Sequence, residues 1–258
     1  MRIGTYNVLG LTGFPEEEAE VVIGAPGTTS NSVHFAAVFD ALECDVLALQ
    51  EGVAARVMQR IARTMGRHLA TFPSPIAWPG HVLSRFPVRE SRVFSHAIPS
   101  EEVPPFSRCF GAALLELPGG GLLWVVDVHL HPSDRALRER EAGFLAERLV
   151  ELEAQTDHIV VLGDFNSEVD EEVHRVARSM GYSNAMEQAG GGIQHTMDTE
   201  GKRPHAIDHI YASAPFARRL RSATVVRDEG FRHDGPQVPG VWVHSDHLPV
   251  VADIDLDS

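Results

Sequence analysis

The most constraining stretch of the chain is Ile159-Val160-Val161-Leu162-Gly163-Asp164-Phe165-Asn166. Its apolar run reads as a buried strand that stops at a glycine. Two short polar side chains, Asp164 and Asn166, then stand just past the strand end, where a rigid scaffold presents catalytic groups. The pattern recurs in Asp45-Val46-Leu47-Ala48-Leu49-Gln50-Glu51, an apolar strand closed by a carboxylate. A carboxylate in that position is costly unless it is paired, hydrated or bound to a metal. The alternative for Glu51 is an acid at a helix N-terminus, favoured by the macrodipole, since Val53, Val57 and Ile61 predict a helix over 52–65.

The other strands carry the same signature. Residues 2–9 read as a β-strand with Asn7 near its end, where a turn residue bonding its own backbone is the competing explanation. Residues 67–98 read as β-structure broken by prolines. Arg108 to Leu117 and Leu122 to Leu130 read as a hairpin about a Gly119-Gly120-Gly121 turn. Period two places Asp127, His129 and His131 on one face of the second strand. Ala206 to Tyr211 is a strand with Asp208 embedded, and Asp246-His247 leads into a final strand that runs to about Leu256.

Helices are predicted over 32–43, capped by Asn31 or Ser32, from Ser133 to about Ala154, and after Ser167, with Asp170 completing a capping box. Residues 10–31, with Glu16, Glu17, Glu18 and Glu20, read as a long exposed loop: either a shaper of substrate access or a plain solvated acidic segment.

Length and composition suit one domain over residues 1–258 with a substantial core, at 43% hydrophobic residues. A formal charge of −14 argues against a general electrostatic clamp on nucleic acid, though a local basic cleft is compatible with it. Cys44 and Cys109 match no metal spacing and predict a reduced, cytoplasmic protein. There is no apolar leader and no stretch of membrane-spanning length, so no integral membrane association is expected. The chain is expected to be a monomer.

The inventory at the strand ends is Asn7, Glu51, Asp127, His129, Asp164, Asn166, Asp208, Asp246 and His247. Oxygen donors from Asn, Glu and Asp suit Mg²⁺ or Mn²⁺ and leave water positions for phosphate. Two histidines supply proton transfer and charge at a phosphoryl group. No nucleophile elbow, Walker loop or dinucleotide fingerprint is present. Water attacking a phosphoester is the inferred reaction.

Seven ordered motifs then resemble the endonuclease/exonuclease/phosphatase superfamily, which includes DNase I: Thr5-Tyr6-Asn7, Leu49-Gln50-Glu51, Leu83-Ser84-Arg85-Phe86-Pro87, His129-Leu130, Gly163-Asp164-Phe165-Asn166, Ile207-Asp208-His209-Ile210 and Ser245-Asp246-His247-Leu248-Pro249. The resemblance implies an α/β (strictly α+β) four-layer αββα sandwich, two packed, mainly antiparallel sheets with helices outside. It implies metal ligation by Glu51 with Asn7, and Asp246 near the metal. Asp164 would orient the attacking water and Asn166 would hold a phosphate oxygen. Asp208 would pair with His247 for acid–base work, and His129 would stabilise the transition state or protonate the leaving oxygen.

Two further positions carry alternatives. Arg108 is a phosphate contact or an ordinary surface arginine, and His81 an extra phosphate contact or an exposed strand residue. The expected activity is metal-dependent phosphoester, chiefly phosphodiester, hydrolysis, with the substrate open between small molecule, lipid headgroup and nucleic acid. The His-Leu strand end resembles the sphingomyelinase, inositol phosphatase and DNase I-like branches. The alternatives are a nuclease and, in another class, an inactive phosphate-ligand binding module.

Overall fold

Strand β8, Ile159–Asp164, explains the architecture because both of its faces are apolar and both are buried. Val160 and Leu162 join a cluster shared with the opposite sheet. Ile159 and Val161 join a second cluster beneath helices. A strand of this kind requires a covered sheet with a layer on each side. The computed structural model describes residues 1–15, 23–95, 106–197, 204–228, 230–231 and 242–256.

One six-stranded sheet contains β1 (Arg2–Asn7), β2 (Val46–Gln50), β3 (His68–Phe72), β4 (Gly80–Ser84), β11 (Leu220–Val225) and β12 (Val250–Ile254), in the order β11-β12-β1-β2-β4-β3. The other contains β5 (Val88–Val93), β6 (Cys109–Glu116), β7 (Leu122–His129), β8, β9 (Ser183–Asn184) and β10 (Asp208–Ala212), in the order β5-β6-β7-β8-β10-β9. Helices α1 (Thr29–Ala41) and α2 (Ala55–Met65) contribute Phe35, Phe39, Met58 and Ile61 to the cluster that holds β1 and β2. Helices α3 (Arg135–Glu153) and α4 (Glu172–Ser179) set Leu145, Leu149, Leu152 and Val173 against Trp124, Val126 and Val128 of β7. Two short helices, α5 (Ala185–Ala189) and α6 (Ala214–Ala217), complete the described elements. This is the expected αββα sandwich.

Each sheet has one parallel pair, β1·β2 and β7·β8, among otherwise antiparallel pairings. Parallel neighbours require a crossover, supplied here by α1 and by α3. Within each pair the two carboxyl ends lie at the same sheet edge, the place where open α/β sheets bind ligands. The polar strand ends found in the sequence fall at these positions. Asn7 lies opposite Gln50, next to Glu51, and His129 lies opposite Asp164. Antiparallel β10 sets Asp208 beside Asp164.

Gly163 makes the close approach possible. Its φ is 146°, and a Cβ there would stand 1.9 Å from the carbonyl oxygen of Val128, so no other residue fits between β7 and β8.

Several local expectations are corrected. Helix α1 starts at Thr29, because Thr28 accepts from Asn31 N at 3.3 Å. The side chain of Asn31 instead donates to the carbonyls of Leu11 and Gly24. Helix α4 starts at Glu172 without Ser167, whose hydroxyl is drawn to His174 at 2.9 Å. Helix α2 begins only at Ala55, so Glu51 is not in its first turn. His131 lies past the end of β7, where its ring caps the backbone N–H groups of Ser133 and Asp134. The Glu16–Glu20 cluster lies outside the described residues, as does most of the 228–241 loop.

Candidate active site

Asp164 is the focus of the site and is almost fully buried. Its Oδ2 accepts from Asn7 Nδ2 at 3.0 Å and faces His129 Nε2 at 3.5 Å and His247 Nε2 at 3.9 Å. Its Oδ1 accepts from the backbone N–H of Asn166 at 2.9 Å. Burial first, and the neighbouring Asp208 next in the same direction, push the Asp164 carboxyl up to about 7, against the pull of His247, Asn7 and the Asn166 N–H.

Glu51 extends the end of β2 in the left-handed region, with φ 50°. For a glutamate that conformation costs about 1–2 kcal/mol, and it is held by flanking bonds. Gly10 N donates to Glu51 O at 2.8 Å, and Gly52 N to Pro79 O at 2.9 Å. The carboxylate stands 3.8 Å from His129 Nε2. Burial raises its pKa, while His247, Asn7 and Arg108 favour the charged form and Asp246 opposes it. Asn166 also has a left-handed φ, 47°, a conformation that asparagine tolerates. Its amide donates to the carbonyl of Leu130 at 3.0 Å.

The two histidines are shifted in opposite directions. His247 Nδ1 bonds Asp208 Oδ2 at 2.8 Å, which fixes the tautomer and turns Nε2 toward Asp164. Burial opposes a charge on His247, but Asp208, Asp164 and Asp246 together raise its pKa well above the ordinary histidine value. His129 is the reverse. Burial, with Arg108 and His247, holds its pKa well below the ordinary value, and its Nδ1 is buried without a partner. No carboxylate orients it from behind. Asp127, the nearest sequence candidate, instead accepts from Gln50 Nε2 at 2.7 Å across the sheet interface. Burial raises the Asp127 pKa well above the usual carboxylate range.

The structure therefore brings together Asn7, Glu51, His129, Asp164, Asn166, Asp208, Asp246 and His247. Arg108 stands at their edge, close enough to influence both Glu51 and His129, with Nε buried and unpartnered. His81 does not join them. It is fully buried, with Nδ1 bonded to Thr71 Oγ1 at 3.0 Å and Nε2 to Val53 O at 2.9 Å, so no ring nitrogen is left for a phosphate. Two supporting residues were given no role from the sequence, although Gln50 lies within the Leu49-Gln50-Glu51 motif. Thr196 Oγ1 accepts from the N–H groups of Ile207 and Asp208, at 3.2 and 3.1 Å. Gln50 accepts from Thr5 Oγ1 at 3.1 Å while bonding Asp127.

The donor set fits a divalent ion. Asn7, Glu51 and Asp246 are hard oxygen donors of the type that Mg²⁺ and Mn²⁺ take, and the desolvated Glu51 carboxylate is stabilised in its charged form by a cation. Among the described residues, Asp164, Asp208 and His247 form a group whose donor atoms all lie within 4.8 Å of one another. The short Asp208–His247 bond makes that group an acid–base cluster first.

Comparison with known proteins agrees with this geometry. The profile of the Endonuclease/Exonuclease/phosphatase family matches residues 4–247. No curated protein sequence matches the chain. Among solved structures, a functionally unknown conserved protein from Enterococcus faecalis superposes with a TM-score of 0.76 at 17% identity, over 99% of each chain. A Bacteroides thetaiotaomicron mannosyl-6-phosphatase gives 0.76 at 15% identity, over 99% of this chain and 100% of that one. A Neisseria meningitidis 3'-5' exonuclease gives 0.69 at 19% identity, over 99% and 100%. Among the described residues no helix is long and apolar enough to cross a membrane.

Proposed function

From its membership of the endonuclease/exonuclease/phosphatase family, a family of generally divalent-metal-dependent phosphoester hydrolases, we propose that this chain is a Mg²⁺- or Mn²⁺-dependent phosphoester hydrolase with water as nucleophile. The observation that carries the reading is the meeting of His129 Nε2 and His247 Nε2 on one oxygen of Asp164, with the His129 pKa held below and the His247 pKa above the ordinary histidine value.

Asp164 orients the attacking water and accepts its proton. Asn7 and the Asn166 N–H hold the Asp164 carboxylate in place. His247 Nε2 lies 3.9 Å from Asp164 Oδ2, beside the carboxylate, where it can meet a phosphate oxygen bound next to the water. Protonated His247, backed by Asp208, meets that oxygen and offers the proton for acid–base work. His129 stays neutral and acts as a hydrogen-bond donor to the phosphoryl group, so protonation of the leaving oxygen falls to His247. Arg108, whose guanidinium has no carboxylate partner among the described residues, supplies a second positive contact for phosphate. Glu51, Asn7 and Asp246 would hold the divalent ion, which when bound supplies Lewis-acid stabilisation of phosphoryl charge.

The relatives include a sugar phosphatase and an exonuclease, so both monoesters and diesters are to be tested. Wild-type protein is expected to hydrolyse p-nitrophenyl phosphate or bis-p-nitrophenyl phosphate with Mg²⁺ or Mn²⁺ and to stop on chelation. Activity indifferent to chelator, or retained in both Asp164→Ala and His247→Ala, contradicts the mechanism. Inactivity across DNA, RNA, phospholipid, sugar and inositol phosphates favours the binding-module reading instead.

A further inference from the structure

The segment between β3 and β4, residues 73–79, is rich in proline and carries Trp78. Its position is fixed. Pro79 O accepts from Gly52 N at 2.9 Å, one residue beyond the candidate metal ligand Glu51, and Pro73 O accepts from Ser95 Oγ at 2.6 Å. The indole is only half-buried. One side of it meets Arg108, whose guanidinium carbon lies 5.9 Å from the ring centroid. Another edge faces Gly10, where an added Cβ would be 4.0 Å from the ring. Gly10 in turn donates to Glu51 O at 2.8 Å. An aromatic face is thus held beside the candidate site, tied on two sides to the backbone around Glu51 and in contact with the Arg108 guanidinium.

A tryptophan left partly exposed presents an apolar ring with a polar N–H, the kind of face enriched at interfaces. Trp78 combines a loop anchored through Pro73 O and Pro79 O with a partly exposed position beside Arg108. A single platform of this kind suits one ring. A polynucleotide calls for successive aromatic faces along a basic groove, and a chain of formal charge −14 supplies neither the overall charge nor, among the described residues, a second aromatic beside Trp78. A membrane surface calls for a contiguous apolar patch. Among the described residues the exposed large apolar side chains are Val33, Ile76, Val93 and Val150, and of these Ile76 alone shares the loop of Trp78.

We infer that Trp78, held against Arg108, is a specificity-determining platform that stacks the ring of a sugar phosphate while Arg108 reaches its phosphate. This deepens the proposed function and rests on reading the adjacent seam as a phosphate site. The indole offers its electron-rich face to the C–H groups of a pyranose, and the guanidinium bridges from the ring to the phosphoryl oxygens.

The test is calorimetric binding to the Mg²⁺-loaded Asp164→Asn protein, in which turnover is suppressed, using a hexose 6-phosphate and glycerol 3-phosphate as probes. Trp78→Ala is expected to weaken the hexose phosphate about tenfold and glycerol phosphate less than about twofold, and Trp78→Phe to restore most of the difference. An unchanged unfolding midpoint in Trp78→Ala separates recognition from misfolding. Equal weakening of both probes, or of neither, overturns the platform. So does a single-stranded oligonucleotide that binds tighter than the hexose phosphate and depends on Trp78. If neither phosphate probe binds before Trp78 is changed, the phosphate-site reading itself has failed, an outcome visible apart from any effect of Trp78.

Discussion

Two buried histidine pairs lie close together in this molecule and differ in one respect. In the candidate catalytic seam, His129 Nδ1 and Asp208 Oδ1 are buried with no partner among the described residues, and the surrounding carboxylates raise the His247 pKa well above the ordinary histidine value. Behind it, His174 bonds Ser167 Oγ at 2.9 Å and Tyr211 OH at 2.8 Å, and His209 bonds Ala206 O at 2.9 Å and Asn184 at 3.1 Å. Those two rings lie 4.7 Å apart, with Phe165 packed on both. Residue type and burial are alike in the two places. The difference is that one network is closed and the other is left open. A closed network of neutral groups stabilises a fold, whereas buried groups with unmet valences need a ligand to complete them. The comparison separates structural histidines from the candidate catalytic ones on hydrogen-bond accounting rather than on depth.

The largest effects expected are on activity, in the open network. Glu51→Gln and His247→Ala should each lower kcat/KM by about a thousandfold or more, and Glu51→Gln, which removes a buried carboxylate without opening a cavity, should leave the unfolding midpoint unchanged or higher, since relieving an active site often stabilises the fold. A matching loss of stability in Glu51→Gln would erase the distinction. In the closed network the effect should move to stability. His209→Ala leaves a cavity and strips partners from Asn184 and Ala206, and should cost about 3 kcal/mol in a urea titration, while activity per folded molecule changes less than about tenfold.

The pH dependence of stability sharpens the same contrast. Burial, mainly, pushes the His209 pKa down to about 3, against an unfolded value near 6.5. Between those values the unfolded chain binds the proton and the folded one does not, so this contribution falls as pH falls below about 6.5. Asp164 and His247, both with raised values, act in the opposite direction, so the difference between variants is the informative quantity. Between pH 7 and pH 5, His209→Asn should lose about 2 kcal/mol less stability than the wild type. Equal losses would mean that His209 is not held neutral.

The smallest effect is expected at Asp127. Burial raises its pKa well above the usual carboxylate range and its carboxyl bonds Gln50, so an amide of the same shape should replace it. Asp127→Asn should change activity less than about threefold and stability less than about 1 kcal/mol, whereas Asp127→Ala, which leaves Gln50 unpaired, should cost about 2 kcal/mol. Loss of activity in Asp127→Asn would place a required charge at that position.

Much of this was legible in the chain itself, for a physical reason. Strands β1, β2, β7, β8 and β10 are apolar runs that end in, or border on, polar residues, and a run with a stranded carboxylate or amide announces both its burial and its exception. The layer order came instead from the family resemblance, with which those runs are compatible. Edge strand β11 was not legible, because its Leu-Arg-Ser-Ala-Thr-Val sequence draws its pairing from β12 rather than from a strong pattern of its own. His81 was misjudged for a related reason. Its partners Thr71 and Val53 are joined to it through the β3·β4 pairing and the turn after Glu51, neither of which spacing reveals. Thr196, in an irregular segment, positions Asp208 through backbone contacts that no local pattern marks.

The account turns on the open network being completed by a divalent ion. Its most direct test is a Mn²⁺ titration of chelator-stripped protein, followed by calorimetry or electron paramagnetic resonance, on the wild type, Glu51→Gln and His209→Ala. The account predicts saturable Mn²⁺ binding in the wild type and in His209→Ala and at least about tenfold weaker binding in Glu51→Gln. Equal Mn²⁺ affinity in Glu51→Gln and the wild type, or no binding in any of the three, would contradict it.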